Sequence, residues 1–211
     1  KNTGRDVINE VTKPRTEFRY VSKKRRVKED KRFVTGRGKF AGDINLPGTL
    51  HVAMVSSPYA CAEIKSINAE EALALPGVHY VLTGEELSQH INPLLSGLDL
   101  PDVKRLPLAQ GRARYAGEWV AAVVADSRHI AEDAVELVEI DYESLDYVID
   151  PEEALKPGAP LVHPENGSNV FFNRKWVWGE VEKDFAAASH TLAFRARWSR
   201  CSTIPIETFA V

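Results

Sequence analysis

Residues 29–67 read EDKRFVTGRGKFAGDINLPGTLHVAMVSSPYACAEIKSI. This segment carries few groups that do chemistry, yet its turns and apolar runs are distinctive. Residues 50–55 and 63–68 predict two strands, and Pro47-Gly48 predicts the turn before the first of them. The segment therefore indicates a folded unit made of short elements rather than a catalytic motif.

Three short helices are predicted between residue 68 and residue 150. Each follows a side chain that caps a helix start, because Asn, Thr and Ser oxygens accept hydrogen bonds from the free N–H groups of a first turn. The caps are Asn68, Thr83 and Ser127, and the helices cover 69–75, 84–89 and the residues after 127.

Three more strands are predicted in the same part of the chain. The run EWVAAVVA at 118–125 is nearly continuous in apolar residues, which is typical of a buried strand. Residues 78–82 and 139–143 predict the other two. Residues 91–114 contain prolines and glycines without a sustained period, and this pattern predicts a loop.

The last part of the chain changes in character. Pro151 predicts the start of a small helix, and residues 156–173, with three prolines and two glycines, predict a linker. A helix is predicted over 179–189. A strand is predicted over 190–200, with four apolar residues on one side: Leu192, Phe194, Ala196 and Trp198.

Charge is distributed unevenly along the chain. Residues 1–40 hold 14 Lys or Arg against 5 Asp or Glu, although the whole chain has a formal net charge of −3. No nucleic-acid-binding motif accompanies the basic run Lys23-Lys24-Arg25-Arg26. The pattern favours a solvated or partner-docking arm over nucleic-acid binding, with which a basic segment is also compatible.

The two cysteines, Cys61 and Cys201, have neither the number nor the spacing of a disulfide framework or a metal site. No window approaches the 18 or so apolar residues of a membrane span. The charges after Arg25-Arg26 do not fit an export signal. We expect a cytoplasmic protein without a membrane span.

Several motifs that resemble functional sites are better explained by local structure. Gly36-x-Gly38-x-x-Ala41 matches a dinucleotide fingerprint in form, but no strand–turn–helix context surrounds it, so a tight turn is favoured. His163-x-Glu165 is the one histidine pair with metal-ligand chemistry, and it lies in the predicted linker. Glutamate pairs such as Glu70-Glu71 and Glu85-Glu86 fit first helical turns, where negative charge is favourable. No metal site is expected.

The quoted segment resembles the opening of the molybdopterin-binding large subunit of the molybdenum hydroxylases, the xanthine dehydrogenase, aldehyde oxidase and carbon monoxide dehydrogenase family. The matching positions are Arg32, Thr35, Gly36, Phe40, Asp43, Pro47, Gly48, Leu50 and His51, then Ser57, Pro58, Ala60, Ala62 and Ile64. Ser56 and Cys61 depart from the family pattern, which usually has Arg and His there.

Later segments are similar to the family in the same order. Arg114-Tyr115-Ala116-Gly117-Glu118 and the apolar run after it match the family's R-Y-x-G-[EQ]-P-V-A-A-V-V-A, with Trp119 in place of the usual Pro. Residues 163–186 are similar to the linker and first helix of the molybdopterin domain. Residues 205–210 resemble its P-[ML]-E-x-x-x-x-A stretch.

The resemblance implies an α+β fold: an a/b hammerhead domain followed by the first elements of the molybdopterin-binding domain. We expect four segments: an extended basic arm (1–31), the hammerhead domain (32–150), a linker (151–175) and the incomplete start of the molybdopterin-binding domain (176–211).

The implied activity is the oxidative hydroxylation of an aldehyde, an N-heterocycle or a similar small substrate, with water as the oxygen source. The implied cofactor is molybdenum–molybdopterin, bound mainly by sequence beyond Val211. Iron–sulfur [2Fe–2S] clusters in a small subunit and FAD in a medium subunit are the implied redox partners, in a dimer of heterotrimers. The remainder of the molybdopterin subunit is a further partner.

The resemblance places the catalytic residues beyond Val211, so none is assigned within this sequence. Glu207 is the one candidate site residue, because an acidic group in the apolar run 204–209 is costly unless it has a partner. That partner is a cofactor or a domain interface in one interpretation, and a structural hydrogen bond in the other. Two alternatives stay open. The chain could be a non-catalytic hammerhead-like binding or assembly module, or one half of a split molybdenum subunit.

Overall fold

The structure, a computed structural model, describes residues 20, 21, 23–94 and 105–199. The chain divides into two compact units, one of Lys1–Asn45 with Arg200–Val211 and one of Leu46–Ser199. The described helices are α1 (Asp30–Val34), α2 (Glu70–Ala74), α3 (Gly84–His90), α4 (Arg128–Val135) and α5 (Val181–Ala187). The described strands are β1 (His51–Ser56), β2 (Ala62–Asn68), β3 (Val78–Thr83), β4 (Arg112–Ala113), β5 (Trp119–Ala125) and β6 (Glu139–Ser144).

The described part of the first unit contains the short helix α1, a tight loop after it and a 3-10 turn at Ala41–Asp43. The Phe33 ring of α1 stacks on Phe40, with ring centroids 5.3 Å apart. Gly36 has a φ of 69°, and a Cβ at Gly38 would collide with the Phe33 ring. These two glycines therefore provide a left-handed turn and a close backbone approach, and the predicted tight turn is confirmed.

Helix α1 corrects one detail of the predicted arm. The helix spans Asp30–Val34, so residues 30 and 31 are helical rather than extended. Two local contacts explain this. The Asp30 carboxylate accepts a hydrogen bond from the backbone N–H of Val27 at 2.9 Å, and Arg32 donates to Glu29 at 2.6 Å. Both stabilise a helical turn that an overall count of charges does not reveal.

The second unit contains two antiparallel three-stranded sheets, with strand orders β1-β5-β3 and β4-β2-β6. In the first sheet the central strand β5 places Val123 between Ala53 and Val81. In the second, β2 places Ile64 beside Tyr142 of β6. The five strands predicted between residues 50 and 143 are confirmed to within one residue at each end, whereas the two-residue strand β4 falls in the predicted loop.

The core lies where α4 packs on the first sheet. The Ser127 hydroxyl accepts a hydrogen bond from the N–H of Ile130, so the predicted cap is confirmed, and α4 buries Ala131 and Ala134 completely. Val120 and Val123 of β5 are also fully buried. The predicted burial of this strand is therefore confirmed at its centre.

The other two predicted caps have different outcomes. Thr83 accepts a hydrogen bond from the N–H of Glu86, so it caps α3 as predicted. Helix α2 begins at Glu70, one residue later than predicted, with Ala69 at its N-cap. The Asn68 side chain accepts from the N–H of Glu70 at 3.1 Å, which supports the turn that leads into the helix.

The Asn169 side chain holds part of the predicted linker in place. The Asn169 carboxamide donates to the carbonyls of Ala154 and Pro160 at 3.1 and 3.0 Å, and it accepts from the N–H of Val162 at 3.0 Å. Two short 3-10 turns, Glu153–Leu155 and Pro164–Asn166, flank these contacts. The first of them replaces the small helix predicted after Pro151. Residues 154–169 are therefore held in one arrangement despite their prolines and glycines.

The substitution Asn169→Asp is expected to loosen this segment. It removes both carboxamide donations and places a carboxylate against two carbonyl oxygens, at a cost of about 2 kcal/mol. Hydrogen exchange of residues 151–171 should accelerate at least tenfold, while exchange in β5 stays unchanged. Asn166→Asp is the matched control, because the Asn166 carboxamide donates to the carbonyl of Ser168, two residues away. Equal effects of the two substitutions would contradict this role of Asn169.

The predicted strand over residues 190–200 is wrong in its described part. Residues 191–199 form no strand and are exposed. Arg195 and Arg197 instead pair with Glu152 and Asp150, at 2.7 and 3.3 Å. An alternating sequence forms a strand only when a neighbouring strand accepts its hydrogen bonds, and no described strand does so here. Helix α5 is also shorter than the predicted helix over 179–189.

Across the parts of the chain that the structure describes, no helix combines the length and apolar character that a membrane span requires.

Candidate functional site

A cavity of about 670 Å³ lies in the second unit, where residues 105–118 face residues 162–171. Its walls combine apolar side chains with a small set of charged ones. The apolar lining residues include Leu108 and Phe171, and the charged and polar ones are Arg105, Gln110, Arg114, Tyr115, Glu118, His163 and Glu165. This cavity contains the segment Arg114 to Glu118 that the sequence resemblance singled out.

Arg114 is the central side chain of the cavity wall. It follows β4, and its guanidinium donates to the Arg112 carbonyl at 3.1 Å. Its terminal nitrogens lie 3.8 Å from Glu118 Oε1 and 3.9 Å from Glu165 Oε1, which are ion-pair rather than hydrogen-bond distances. Its Nε is buried without a hydrogen-bond partner among the described residues. The guanidinium therefore stands between two carboxylates from different segments.

Glu118 is fixed by the turn that precedes β5. Its carboxylate accepts a hydrogen bond from the backbone N–H of Arg114. Gly117, with a φ of 91°, permits the reversal between these two residues. The side chains of Arg114 and Glu118 are only 19% and 15% exposed, so their attraction is screened less than that of a surface pair.

His163 and Glu165 form the opposite wall. His163 Nδ1 lies 2.9 Å from Glu165 Oε1, and the ring meets Phe171 edge-on at 5.2 Å. Partial burial disfavours the Glu165 carboxylate, but the hydrogen bond with His163 and the nearby Arg114 outweigh it. The pKa of Glu165 therefore lies below its ordinary value. This pair, which the sequence marked as possible metal ligands, is instead an internal hydrogen bond.

The charges around the cavity compensate one another. Two arginines and two carboxylates line it, and Arg114 is flanked by both carboxylates. An anionic ligand at Arg114 would have to displace a carboxylate. The arrangement is suited to holding residues 162–171 against residues 105–118, and it presents no nucleophile beside a base.

The substitution Arg114→Met tests this interpretation. It preserves most of the side-chain volume but leaves the poorly exposed Glu118 without its cation, which should lower the free energy of unfolding by about 2 kcal/mol. Hydrogen exchange of residues 160–171 should accelerate as well. Arg128→Met is the matched control, because Arg128 is 75% exposed in its pair with Glu132. The account fails if the two variants have the same unfolding midpoint.

The other described candidate residues lie outside this cavity. Glu207 lies outside the described residues, so its predicted role stays a prediction. Glu70-Glu71 and Glu85-Glu86 lie in the first turns of α2 and α3, as expected from their favourable interaction with the helix dipole. Within the described ranges, no group of three or more His, Cys, Asp or Glu residues could hold a metal ion.

The family profile described as "Aldehyde oxidase and xanthine dehydrogenase, a/b hammerhead domain" matches residues 35–146, more than half of the chain. The chain belongs to this family. Its α+β hammerhead fold, expected from the sequence resemblance, is confirmed by the profile and by the mixed strand and helix order of the second unit.

Individual members of the aldehyde oxidase and xanthine dehydrogenase family are similar over most of this chain. The carbon monoxide dehydrogenase large chain of Hydrogenophaga pseudoflava is 39% identical over 197 residues, which cover 86% of this chain and 24% of the relative. Subunit gamma of the 6-hydroxypseudooxynicotine dehydrogenase complex of Paenarthrobacter nicotinovorans is 39% identical over 191 residues, with 87% and 24% covered.

A solved structure gives the same result for the fold. The crystal structure of quinoline 2-oxidoreductase from Pseudomonas putida 86 superposes with a TM-score of 0.68 at 37% identity, over 77% of this chain and 21% of that one. The chain thus spans about a quarter of the length of the curated relatives it matches.

The described residues do not fit a molybdenum–molybdopterin site. They supply no ligand cluster, and Arg114, the cation at the centre of the cavity wall, is flanked by two carboxylates. Cys61, the free cysteine among them, is buried beside the second sheet. In this family member, the described part of the chain therefore offers packing and ion pairing rather than cofactor ligation.

Proposed function

We propose that this chain is the N-terminal part of the molybdenum-cofactor subunit of a molybdenum hydroxylase. The observation that carries the proposal is the hammerhead match over residues 35–146, together with large-chain relatives about four times as long. The reaction is the oxidative hydroxylation of an aldehyde, an N-heterocycle or a similar small substrate, with water as the oxygen source. A molybdenum cofactor held by the rest of the subunit would supply the hydroxylation chemistry.

The role of this segment is structural and interfacial. The cofactor is bound mainly by sequence beyond Val211, and residues 176–211 begin the domain that holds it. The ordered residues 151–171, fastened by Asn169 and Arg114, support this role because they fix the direction in which the chain leaves the hammerhead domain.

The partners are an iron–sulfur subunit with [2Fe–2S] clusters, a flavin subunit with FAD, and the remainder of the molybdenum subunit, assembled as a dimer of heterotrimers. Relatives named as a large chain and as the gamma subunit of a complex support a multi-subunit assembly. A cytoplasmic location fits two cysteines that are 140 positions apart in sequence.

An isotope experiment tests the reaction. The natively purified complex is incubated in H₂¹⁸O with an artificial electron acceptor and three substrates in turn: an aldehyde, an N-heterocycle and carbon monoxide. One substrate should be oxidised with ¹⁸O from the water in its product, and the N-heterocycle product should carry one ¹⁸O atom. Aldehydes and carbon dioxide exchange oxygen with water, so an incubation without enzyme corrects for exchange with those substrates. A hydroxylated N-heterocycle whose new oxygen is unlabelled would contradict the proposed reaction. No turnover with any substrate would favour the alternative, a non-catalytic binding or assembly module.

We propose that the Glu207 side chain lies near the cofactor or at a domain interface. We expect Glu207→Gln to lower turnover or molybdenum content in the complete enzyme at least threefold, because the acidic group in an apolar run needs a specific partner. Glu182→Gln, on the exposed helix α5, is the control. Wild-type turnover and wild-type molybdenum content in the Glu207 variant would remove this role.

A second architecture is a split subunit, in which the cofactor-binding remainder is a separate polypeptide. The intact mass of the purified subunit that contains this chain distinguishes the two arrangements. A mass about four times that of the 211 residues supports one continuous subunit, on the basis of the relatives' lengths.

A further inference from the structure

The first sheet has two apolar faces, and the described residues cover only one of them. The inner face contains Val55, Val81, Ala121 and Val123, all buried against the core. The register places Val52 beside Val124 and Tyr80, and Met54 beside Ala122 and Leu82, on the opposite face. We call these six residues the outer face: Val52, Met54, Tyr80, Leu82, Ala122 and Val124.

The outer face has the composition of a buried surface. None of its six residues is charged, and the one polar atom among their side chains, the Tyr80 hydroxyl, donates to Glu86. An antiparallel sheet that faces water on one side normally alternates apolar and polar residues, whereas strands buried on both faces are apolar throughout. The sequence of β5 is of the second kind at every position.

The outer face is nevertheless open along its two edge strands in the described structure. Val52 is 54% exposed, Tyr80 44% and Met54 37%, whereas Ala122 on the central strand between them is 6% exposed. Contiguous apolar patches are uncommon on the free surface of a folded protein, and they mark an interface. A patch without charges resembles the core of a permanent interface, because transient interfaces carry more polar and charged groups.

We propose that the outer face is covered by a later part of the same polypeptide, beyond Val211. This inference rests on the proposed function, which makes the chain the beginning of a large subunit. Relatives extend over about four times the matched length, so a long stretch of chain is available to cover the face. An intrachain cover is permanent, as the uncharged composition requires, and it needs no separate association step.

Photo-crosslinking in the full-length native complex tests the proposal. A benzophenone side chain replaces Val52 in one variant and the exposed Arg128 of α4 in the control. The expected result is a crosslink from position 52 to a peptide beyond Val211 of the same chain, identified by mass spectrometry, with no such crosslink from position 128. A crosslink from position 52 to another subunit, to a second copy or to a peptide within residues 1–211 would overturn the proposal.

A second measurement applies if the benzophenone variant does not fold. In M54C and the control R128C, each in the full-length native complex, the rate of alkylation by iodoacetamide is read peptide by peptide. Position 54 should react at least tenfold more slowly than position 128. Equal rates would overturn the proposal. Molybdenum content, measured on the same samples, separates a failure of the proposed function from a failure of this interface.

Discussion

Val123→Asp should leave the chain unable to fold. Val123 is fully buried at the centre of β5, between Ala53 and Val81, and packs within a core that offers no cation. A carboxyl group there loses its hydration without gaining a partner, at a cost of more than about 4 kcal/mol. That cost is comparable with the whole stability of a domain of this size. The measurement is the soluble yield of the 211-residue chain and its denaturant unfolding by tryptophan fluorescence.

Two further variants make this test decisive. Val52→Asp, on the outer face of the same sheet, should cost less than about 1 kcal/mol in the 211-residue chain, because Val52 is 54% exposed. Val123→Thr keeps the volume and adds a hydroxyl, so it should fold with a loss of about 1–2 kcal/mol. The description of the core is wrong if Val123→Asp folds with the midpoint of the parent chain.

Gly84→Ala should be unusually costly for a change of one methyl group. A Cβ at Gly84, the first residue of α3, would collide with the backbone carbonyl of Ala109 and lie 3.2 Å from the carbonyl oxygen of Leu108. Relief requires the 108–109 backbone to move, although Ala109 donates a hydrogen bond to the Trp119 carbonyl at 2.7 Å. We expect a loss of about 3 kcal/mol in the free energy of unfolding.

Gly158→Ala is the matched glycine control for this prediction. Gly158 has a φ of 80° and open space around its Cα, so alanine there meets conformational strain alone, about 1 kcal/mol. Gly84 has no positive φ, so its cost comes from the collision alone. Denaturant unfolding of both variants compares the two causes. A smaller loss at Gly84 than at Gly158 would show that the contact with residues 108–109 is not tight.

The local elements of this fold were predictable because their signals lie within a few residues of one another. The Thr83 cap identifies the start of α3 from a neighbour three positions away, and the apolar run at 118–125 identifies β5 by composition. The pairing of β5 with both β1 and β3 was not predictable, because register depends on residues far apart in sequence. The contact of Gly84 with Ala109 was not predictable for the same reason.

The cavity, too, was predictable only in part. His163-x-Glu165 was visible as a pair of polar side chains, but its neighbour Arg114 is separated from it by β5, α4 and β6. Arg114 and Glu118 were visible as matching positions of a family pattern rather than as an ion pair. Their opposite charges on either side of Gly117 are the signal that points to the pairing. Residues 190–199 show the opposite case. Their alternating sequence predicted a strand, but no described strand pairs with them.

The central claim is that this chain begins the molybdenum subunit of a molybdenum hydroxylase. The most direct test is the molybdenum and iron content of the natively purified complex, per mole of this chain, by mass spectrometry of the metals. We predict about one molybdenum and about four irons, the content of one molybdenum cofactor and two [2Fe–2S] clusters. Neither metal, in a complex whose chains are intact and folded, would contradict the claim and leave a hammerhead domain that serves binding or assembly alone.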